Sequence, residues 1–371
     1  MSKEYKLCII GFLLISVFGC TFQKHQDVYK IAVAAPQFGP YESLGLSIIN
    51  GAELAVDIKN KNGGIDGKKI ELLKVDDGGL VGEGTWRAKD LTKEKVLGVI
   101  GHLNSDISIS ASEVYSMARI PQISPGSTNP LFTERSEVRG YVFRTVGRDD
   151  QQGKTAAQFV QEKGFKKIAV LYNDRSYGQS LSSEFVKDIR GSKSNVEIIY
   201  LEKYKVGNAE LPRITAQLKT KIPDLIFFAG EYGDAANLLS YLRTSGLKST
   251  FLGSEGVFAP EFISNSKGSS EGAYVISLPQ VRDEIFINLY KKKCNRELGS
   301  YSANSFDAAN VLISAIERTQ RRTSDMVADE ISMTKDFPGL TGKISFDSKG
   351  DLTDPHFSVY QVKQGMFVLV K

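Results

Sequence analysis

The chain is poor in the residues that carry most catalytic chemistry, with three histidines, three cysteines and one tryptophan among 371 residues. Cys8, Cys20 and Cys294 cannot staple a disulfide framework, and His25, His102 and His356 lack the spacing of a zinc site. No Walker sequence occurs, and no G-x-G-x-x-G opens a helix after the first strand-like run, so a phosphate-cradling loop is missing. An enzyme is therefore not expected, nor is a cofactor or a metal. The 47 Lys and Arg are spread evenly among 43 Asp and Glu, which leaves a net charge of +4 and no concentrated field for nucleic acid. No apolar run approaches twenty residues, which excludes a polytopic membrane protein. What remains is an ordinary globular composition, long enough for two domains.

The first twenty residues have the layout of a secretory signal: Lys3 and Lys6, then a mostly apolar run over 7–18 ending at Gly19-Cys20. As a helix that run spans about 18 Å against a bilayer core of roughly 30 Å, too short for a permanent anchor. The end, Val17-Phe18-Gly19-Cys20, resembles a bacterial lipobox, in which the cysteine is acylated and becomes the first residue of the mature chain. Cleavage there removes residues 1–19 as a signal peptide and leaves 352 residues, with 20–28 as a lipidated tether. The protein is then exported and held at a bacterial membrane, facing the periplasm or the cell exterior. Only Cys294 remains as a thiol, read as an inert structural residue because no histidine lies near it in sequence.

Short apolar, often β-branched runs recur at 30–35, 69–75, 96–101, 167–172, 196–201, 224–229 and 273–278. Helix-like segments separate them, which argues for α/β lobes with doubly wound parallel sheets. In the first such segment Leu44, Ile48, Ala52, Ala55 and Ile58 form one apolar stripe that stops at Asn62-Gly63-Gly64, a helix-ending signal. Pro125, Gly126, Pro130 and Gly140 break the rhythm over 121–144, where an inter-lobe crossing is expected. After Leu278 no clear strand is expected until 343–346, followed by strand pairs near 357–361 and 366–370. A chain that enters two lobes more than once explains that tail: 29–147 with 279–350 as the first lobe, 148–278 with 351–371 as the second, and about three crossings.

In open α/β sheets ligands bind beyond the carboxyl ends of the strands. In the first half those positions carry Asn104 and Ser105, then Ser124-Pro125-Gly126-Ser127-Thr128; in the second half they carry Tyr177, Glu231 and Glu255. Hydroxyls and backbone N–H groups on one side and a carboxylate on the other suit a zwitterion. Ser105 and Thr128, with N–H groups at a helix start, are placed to receive a ligand carboxylate. Glu255 is placed for an ammonium, with Tyr177 covering it. Asp76-Asp77-Gly78-Gly79 reads as a strand-ending turn rather than a metal site.

These residues resemble the periplasmic binding proteins of branched-chain amino-acid ABC transporters, the type I bilobed class. The matching stretches are Asn50-Gly51-Ala52, Asn62-Gly63-Gly64-Ile65-Asp66-Gly67, Val99-Ile100-Gly101-His102-Leu103, Ile123-Ser124-Pro125-Gly126-Ser127-Thr128-Asn129-Pro130, Tyr177-Gly178 and Gly253-Ser254-Glu255-Gly256. The resemblance implies two Rossmann-like lobes joined by about three crossing segments. It implies a ligand carboxylate held by Ser105, Thr128 and the backbone near Gly126 and Ser127, an ammonium held by Glu255, and Tyr177 across the cleft. It also implies hinge closure around an amino acid and delivery to ABC permease subunits. A sensory role, and amide or urea ligands, stay open within the family. Two positions depart from the pattern: Leu44 stands where relatives place an aromatic residue over the ligand side chain, and Glu231 where they place a second tyrosine. The cysteine pair common in relatives is replaced here by Gly79 and Asn104. If Glu231 faces the cleft, a second buried carboxylate beside Glu255 requires a neutralising cation, which points to a basic or polar amino acid.

Overall fold

The computed structural model describes residues 28–205 and 208–370. The signal-like segment, Cys20 and most of the tether lie outside them. The chain runs through β1 (Tyr29–Ala34), α1 (Glu42–Lys61), β2 (Ile70–Val75), α2 (Val81–Lys93), β3 (Val99–Gly101), α3 (Ser105–Met117), β4 (Gln122–Ser124), α4 (Leu131–Glu134) and β5 (Val142–Arg144). These five strands form one parallel sheet in the order β2-β1-β3-β4-β5. There follow α5 (Asp149–Glu162), β6 (Lys167–Asn173), α6 (Ser176–Gly191), β7 (Glu197–Tyr204), α7 (Leu211–Lys221), β8 (Leu225–Ala229), α8 (Tyr232–Thr244), β9 (Thr250–Gly253), α9 (Pro260–Asn265) and β10 (Tyr274–Ser277). Their strands repeat the same order, β7-β6-β8-β9-β10, again parallel.

The chain then returns to the first lobe with α10 (Glu284–Cys294), α11 (Ser302–Arg318), α12 (Ser324–Ser332) and the small hairpin β11 (Phe337–Gly339) and β12 (Gly342–Ile344). It ends in the second sheet, where β13 (Ser358–Lys363) pairs antiparallel with β10 and β14 (Met366–Leu369) with β13. The lobes are therefore joined by three crossing segments. Arg144 and Arg148 at the first are tied to Asp351 at the third, with both N···O distances at 2.7 Å.

Strands buried on both faces explain the continuous apolar runs: every residue of β8, Leu-Ile-Phe-Phe-Ala, is buried. One face of the first sheet is covered by α2 and α3 through Ala88, Leu91, Ala111 and Tyr115. α1 packs against α11 on the other, where Gly51 brings the backbones together; a β-carbon there would lie 2.2 Å from the Ser302 carbonyl. In the second lobe α5 and α6 close one face with Phe159, Leu181 and Phe185. Burial at about 25 cal/mol per Å² of apolar surface makes these interfaces the main stabilising term.

The expected crossing over 121–144 falls elsewhere. Pro125, Gly126 and Pro130 shape a loop inside the first lobe, and the chain leaves only after β5, because Gln122–Ser124 and Val142–Arg144 are themselves neighbouring strands. Helices α7, α9 and α12, of eleven, six and nine residues, lie outside the expected pattern; α9 and α12 are short, whereas α7 buries Leu211, Ile214 and Leu218 at helical spacing, a stripe that the sequence does carry. Phe337–Gly339, half of a hairpin, is likewise invisible as a strand in the sequence. Among the described residues no helix is long and apolar enough to cross a membrane. Cys294 is a partly buried free thiol at the end of α10, and burial pushes its pKa up, away from thiolate reactivity.

Candidate functional site

Both sheets have the order 2-1-3-4-5, whose topological switch point lies between the first and third strands of each lobe. β3 leads directly to Asn104 and Ser105 at the start of α3, β6 to Tyr177 on α6, and β8 to Glu231 at the start of α8. The sequence spreads these residues over more than a hundred positions, and the two switch points bring them face to face. They border one cavity between the lobes, lined by Leu44, Leu103, Asn104, Ser105, Gly126, Tyr177, Glu231, Gly256 and Tyr301. In this closed arrangement it leaves only about 20 Å³ of free space, room for about one water, so the lobes must part for a ligand to enter.

Of the sequence-derived candidates, Leu44, Ser105, Gly126, Tyr177 and Glu231 line this cavity. Ser127, Thr128 and Glu255 are buried just behind its wall. The Ser127 hydroxyl is engaged inside the first lobe, 2.6 Å from Ser108 Oγ and 3.2 Å from the carbonyls of His102 and Leu103. Thr128 stands beside the buried Asp149 carboxyl and lowers its pKa, although burial wins and pushes Asp149 up to about 7. The Ser105 hydroxyl accepts from the Asn129 amide at 3.4 Å.

The loop carrying these groups is held from beneath. Ser124 Oγ donates to the His102 carbonyl (2.8 Å) and accepts from the amides of Gly126 (3.3 Å) and Ser127 (2.9 Å). Arg144, fully buried, donates to the carbonyls of Ser127 (2.7 Å) and Asn129 (3.1 Å) and to Thr133 Oγ1 (2.8 Å). A buried guanidinium persists only when such partners satisfy it, so the loop is rigid before any ligand arrives.

Across the cavity Glu255 has no exposed surface. Burial pushes its carboxyl up to about 8, reinforced by repulsion from Asp149 and opposed by the Tyr301 hydroxyl. Gln152 braces it: Nε2 lies 3.5 Å from Glu255 Oε2, and Oε1 accepts from the Glu255 amide at 3.0 Å and from the Tyr177 hydroxyl at 3.3 Å. A desolvated carboxyl of this kind takes its charge once a cation enters beside it.

Glu231 faces inward. Its carboxyl accepts from Asn173 Nδ2 at the end of β6, and burial pushes it up to about 7. The cation that opposes this is Arg175, supplied by the protein itself. Arg175 spans the lobes, donating to Asp106 Oδ1 (2.9 Å), the Gly79 carbonyl (3.0 Å) and Tyr41 Oη (3.2 Å), with its guanidinium stacked 5.0 Å from the Tyr41 ring centroid. The expectation that a buried Glu231 needs a ligand cation is thus relaxed, because a counter-charge is already in the wall.

Tyr301, Gln152 and Arg175 are site residues the sequence does not single out. Tyr301 precedes α11 and arrives from a segment more than forty residues beyond the last strand-end candidate, so no strand-end rule finds it. Asp77 closes the Asp76-Asp77-Gly78-Gly79 turn by accepting from the Gly79 amide (3.0 Å) and meets His102 Nδ1 at 2.6 Å, both side chains being buried. Among the described residues no cluster of metal-ligating side chains occurs. Ser270, within the spacing Gly268-Ser269-Ser270-Glu271-Gly272 of a nucleophile elbow, lies in a turn and meets Ser266 Oγ at 2.7 Å rather than a base.

A family model described as periplasmic binding protein matches residues 28–366. Leu/Ile/Val-binding protein homolog 1 of Brucella abortus is 32% identical over 343 residues, covering 90% of each chain. The leucine-, isoleucine-, valine-, threonine- and alanine-binding protein of Pseudomonas aeruginosa is 29% identical with the same coverage. Among solved structures, the branched-chain amino acid transporter substrate binding protein LivJ of Streptococcus pneumoniae, in complex with isoleucine, aligns with a TM-score of 0.84 at 26% identity. That alignment covers 93% of this chain and 99% of that one.

Proposed function

The chain belongs to the periplasmic binding protein family, and on that premise we propose that it captures an α-amino acid between its lobes and delivers it to an ABC permease. The observation that carries this reading is the inter-lobe cavity, where Ser105 and Gly126 meet Tyr177 and Tyr301 in front of a buried Glu255. The ligand carboxylate is received by the Ser105 hydroxyl and backbone amides near Gly126, with Thr128 behind them, at the positive end of α3. The ammonium pairs with Glu255, while Tyr177 and Tyr301 exclude water and Leu44 contacts the side chain. Arg175, anchored in the second lobe and bonded to the first, fastens the closed form that the permease receives. No covalent chemistry is needed.

The lobes are proposed as 29–147 with 279–350 and 148–278 with 351–371. Residues 1–19 are proposed as a signal peptide and Cys20 as the acylated first residue, which places the mature protein outside the cytoplasm at a membrane. This rests on the Val17-Phe18-Gly19-Cys20 sequence. Relatives named for Leu, Ile and Val binding, and one for Thr and Ala as well, set the panel to test. Calorimetry and small-angle scattering with that panel should show saturable binding with compaction. A panel giving neither compaction nor a thermal shift would refute the amino-acid reading. Mass spectrometry of the exported protein should find a lipid on Cys20, and an unmodified Cys20 would refute the anchor.

A further inference from the structure

Resting on the amino-acid reading, we propose that Glu231 makes this cavity selective for amino acids with a short side chain that donates a hydrogen bond, a hydroxyl or a carboxamide, over aliphatic ones.

Glu231 is the one acidic side chain in the cavity lining, at the switch point of the second lobe and on the same wall as Gly256. Its aim is fixed from behind. Asn173 holds one carboxyl oxygen, and the bare Cα of Gly178 is what lets Asn173 fit there, since a β-carbon on Gly178 would lie 2.3 Å from its Oδ1. Gly256 makes room for it on the other side: a β-carbon there would lie 3.3 Å from Glu231 Cγ and 2.8 Å from the Gly230 carbonyl. The hydrogen bond from Asn173 thus sets the direction of the carboxyl at the cavity wall.

Three consequences decide the ligand class. An aliphatic side chain pressed against this carboxyl removes its water and offers no donor, which a buried acceptor tolerates poorly. A lysine or arginine side chain would bring a second positive charge to a carboxyl that Arg175, bonded to Asp106, Gly79 and Tyr41, already offsets. Finally, Glu255 and Gly256 are consecutive, so a ligand whose ammonium reaches Glu255 carries its Cβ substituents close to Glu231. Only a donor one or two bonds beyond Cβ fits both demands.

Threonine and valine test this directly, being nearly identical in shape and differing in one hydroxyl. Titration calorimetry on the wild type should give threonine at least about tenfold tighter than valine, with asparagine tighter than leucine, since a site built around a donor penalises its absence by at least that factor. Glu231→Leu should invert the threonine-to-valine order. Should that variant not fold, Glu231→Gln serves in its place and should narrow the threonine advantage. Valine equal to or tighter than threonine in the wild type overturns the proposal, as does lysine as the tightest ligand. A Glu231 substitution that weakens threonine and valine by the same factor also overturns it, since that would make Glu231 a second ammonium partner. In each of those cases amino-acid binding itself stands. Binding of no amino acid at all overturns the reading beneath it.

Discussion

Replacing Glu255 by glutamine removes the charge of the most deeply buried carboxyl at the cavity while keeping its shape. In the closed, empty cavity burial raises this group from an ordinary 4.5 to about 8. Closing without a ligand at pH 7 costs on the order of 3 kcal/mol, because the carboxyl, ionised in the open cleft, must take up a proton, and each pH unit between 4.5 and 7 contributes about 1.4 kcal/mol. The wild type therefore resists closing without a cation and is released from that cost when a ligand ammonium arrives. Glu255→Gln should reverse both sides of the balance. Ligand affinity should fall by about 2–5 kcal/mol, the usual loss when one partner of a buried charged pair is removed, or roughly 30-fold to several thousand-fold. At the same time the empty protein should populate the closed form more than the wild type does, by up to the same 3 kcal/mol. Calorimetry reads the first effect, and small-angle scattering of the ligand-free variant reads the second. A variant that binds within fivefold of wild type, with an unchanged radius of gyration when empty, would show that Glu255 does not pair with the ligand's ammonium.

Arg175→Ala deletes three inter-lobe hydrogen bonds, including one to Asp106, and should weaken ligand binding by about 1.5–3 kcal/mol, the range for hydrogen bonds to charged groups. The ligand-free melting temperature should move much less; an equal drop in both would mean that Arg175 serves the fold and not closure. Asp351→Asn strands the buried Arg144 guanidinium and should cost about 3–5 kcal/mol in urea unfolding. Asp351 itself is held below its ordinary 3.8, so its contribution is complete above that value and disappears as pH falls further. Glu255, Glu231 and Asp149 act in the opposite sense. All three hold their protons more tightly in the closed fold, so the unfolded chain ionises first, and ligand-free stability should fall as pH rises from about 4 to about 8. Thermal melts across that range check the direction, and a flat or rising profile in the ligand-free protein would contradict it.

Much of the site was legible because doubly wound sheets put function at strand ends, and strand ends can be read from apolar runs. Ser105, Tyr177 and Glu231 each follow such a run and each reaches the cavity. Tyr301 was not legible, because it belongs to the segment that re-enters the first lobe and follows no strand. Gln152 and Arg175 escaped for a different reason: a glutamine within a helix and an arginine just before one carry no local signal, and both matter only through what lies opposite them.

The crossing shows the same division. Prolines and glycines over 121–144 announce a break in the rhythm, but whether a break is a loop within a lobe or a passage between lobes depends on which strands pair, and β4 pairs with β5. The α/β class, the two-lobed organisation and the strand-end positions were all set by local pattern, since apolar periodicity and turn residues act over a few neighbours. The direction of the Glu231 carboxyl, its counter-charge from Arg175 and the burial of Glu255 depend on groups brought together from distant parts of the chain. Electrostatics in a desolvated cavity is a property of such neighbours, and only the folded structure assembles them.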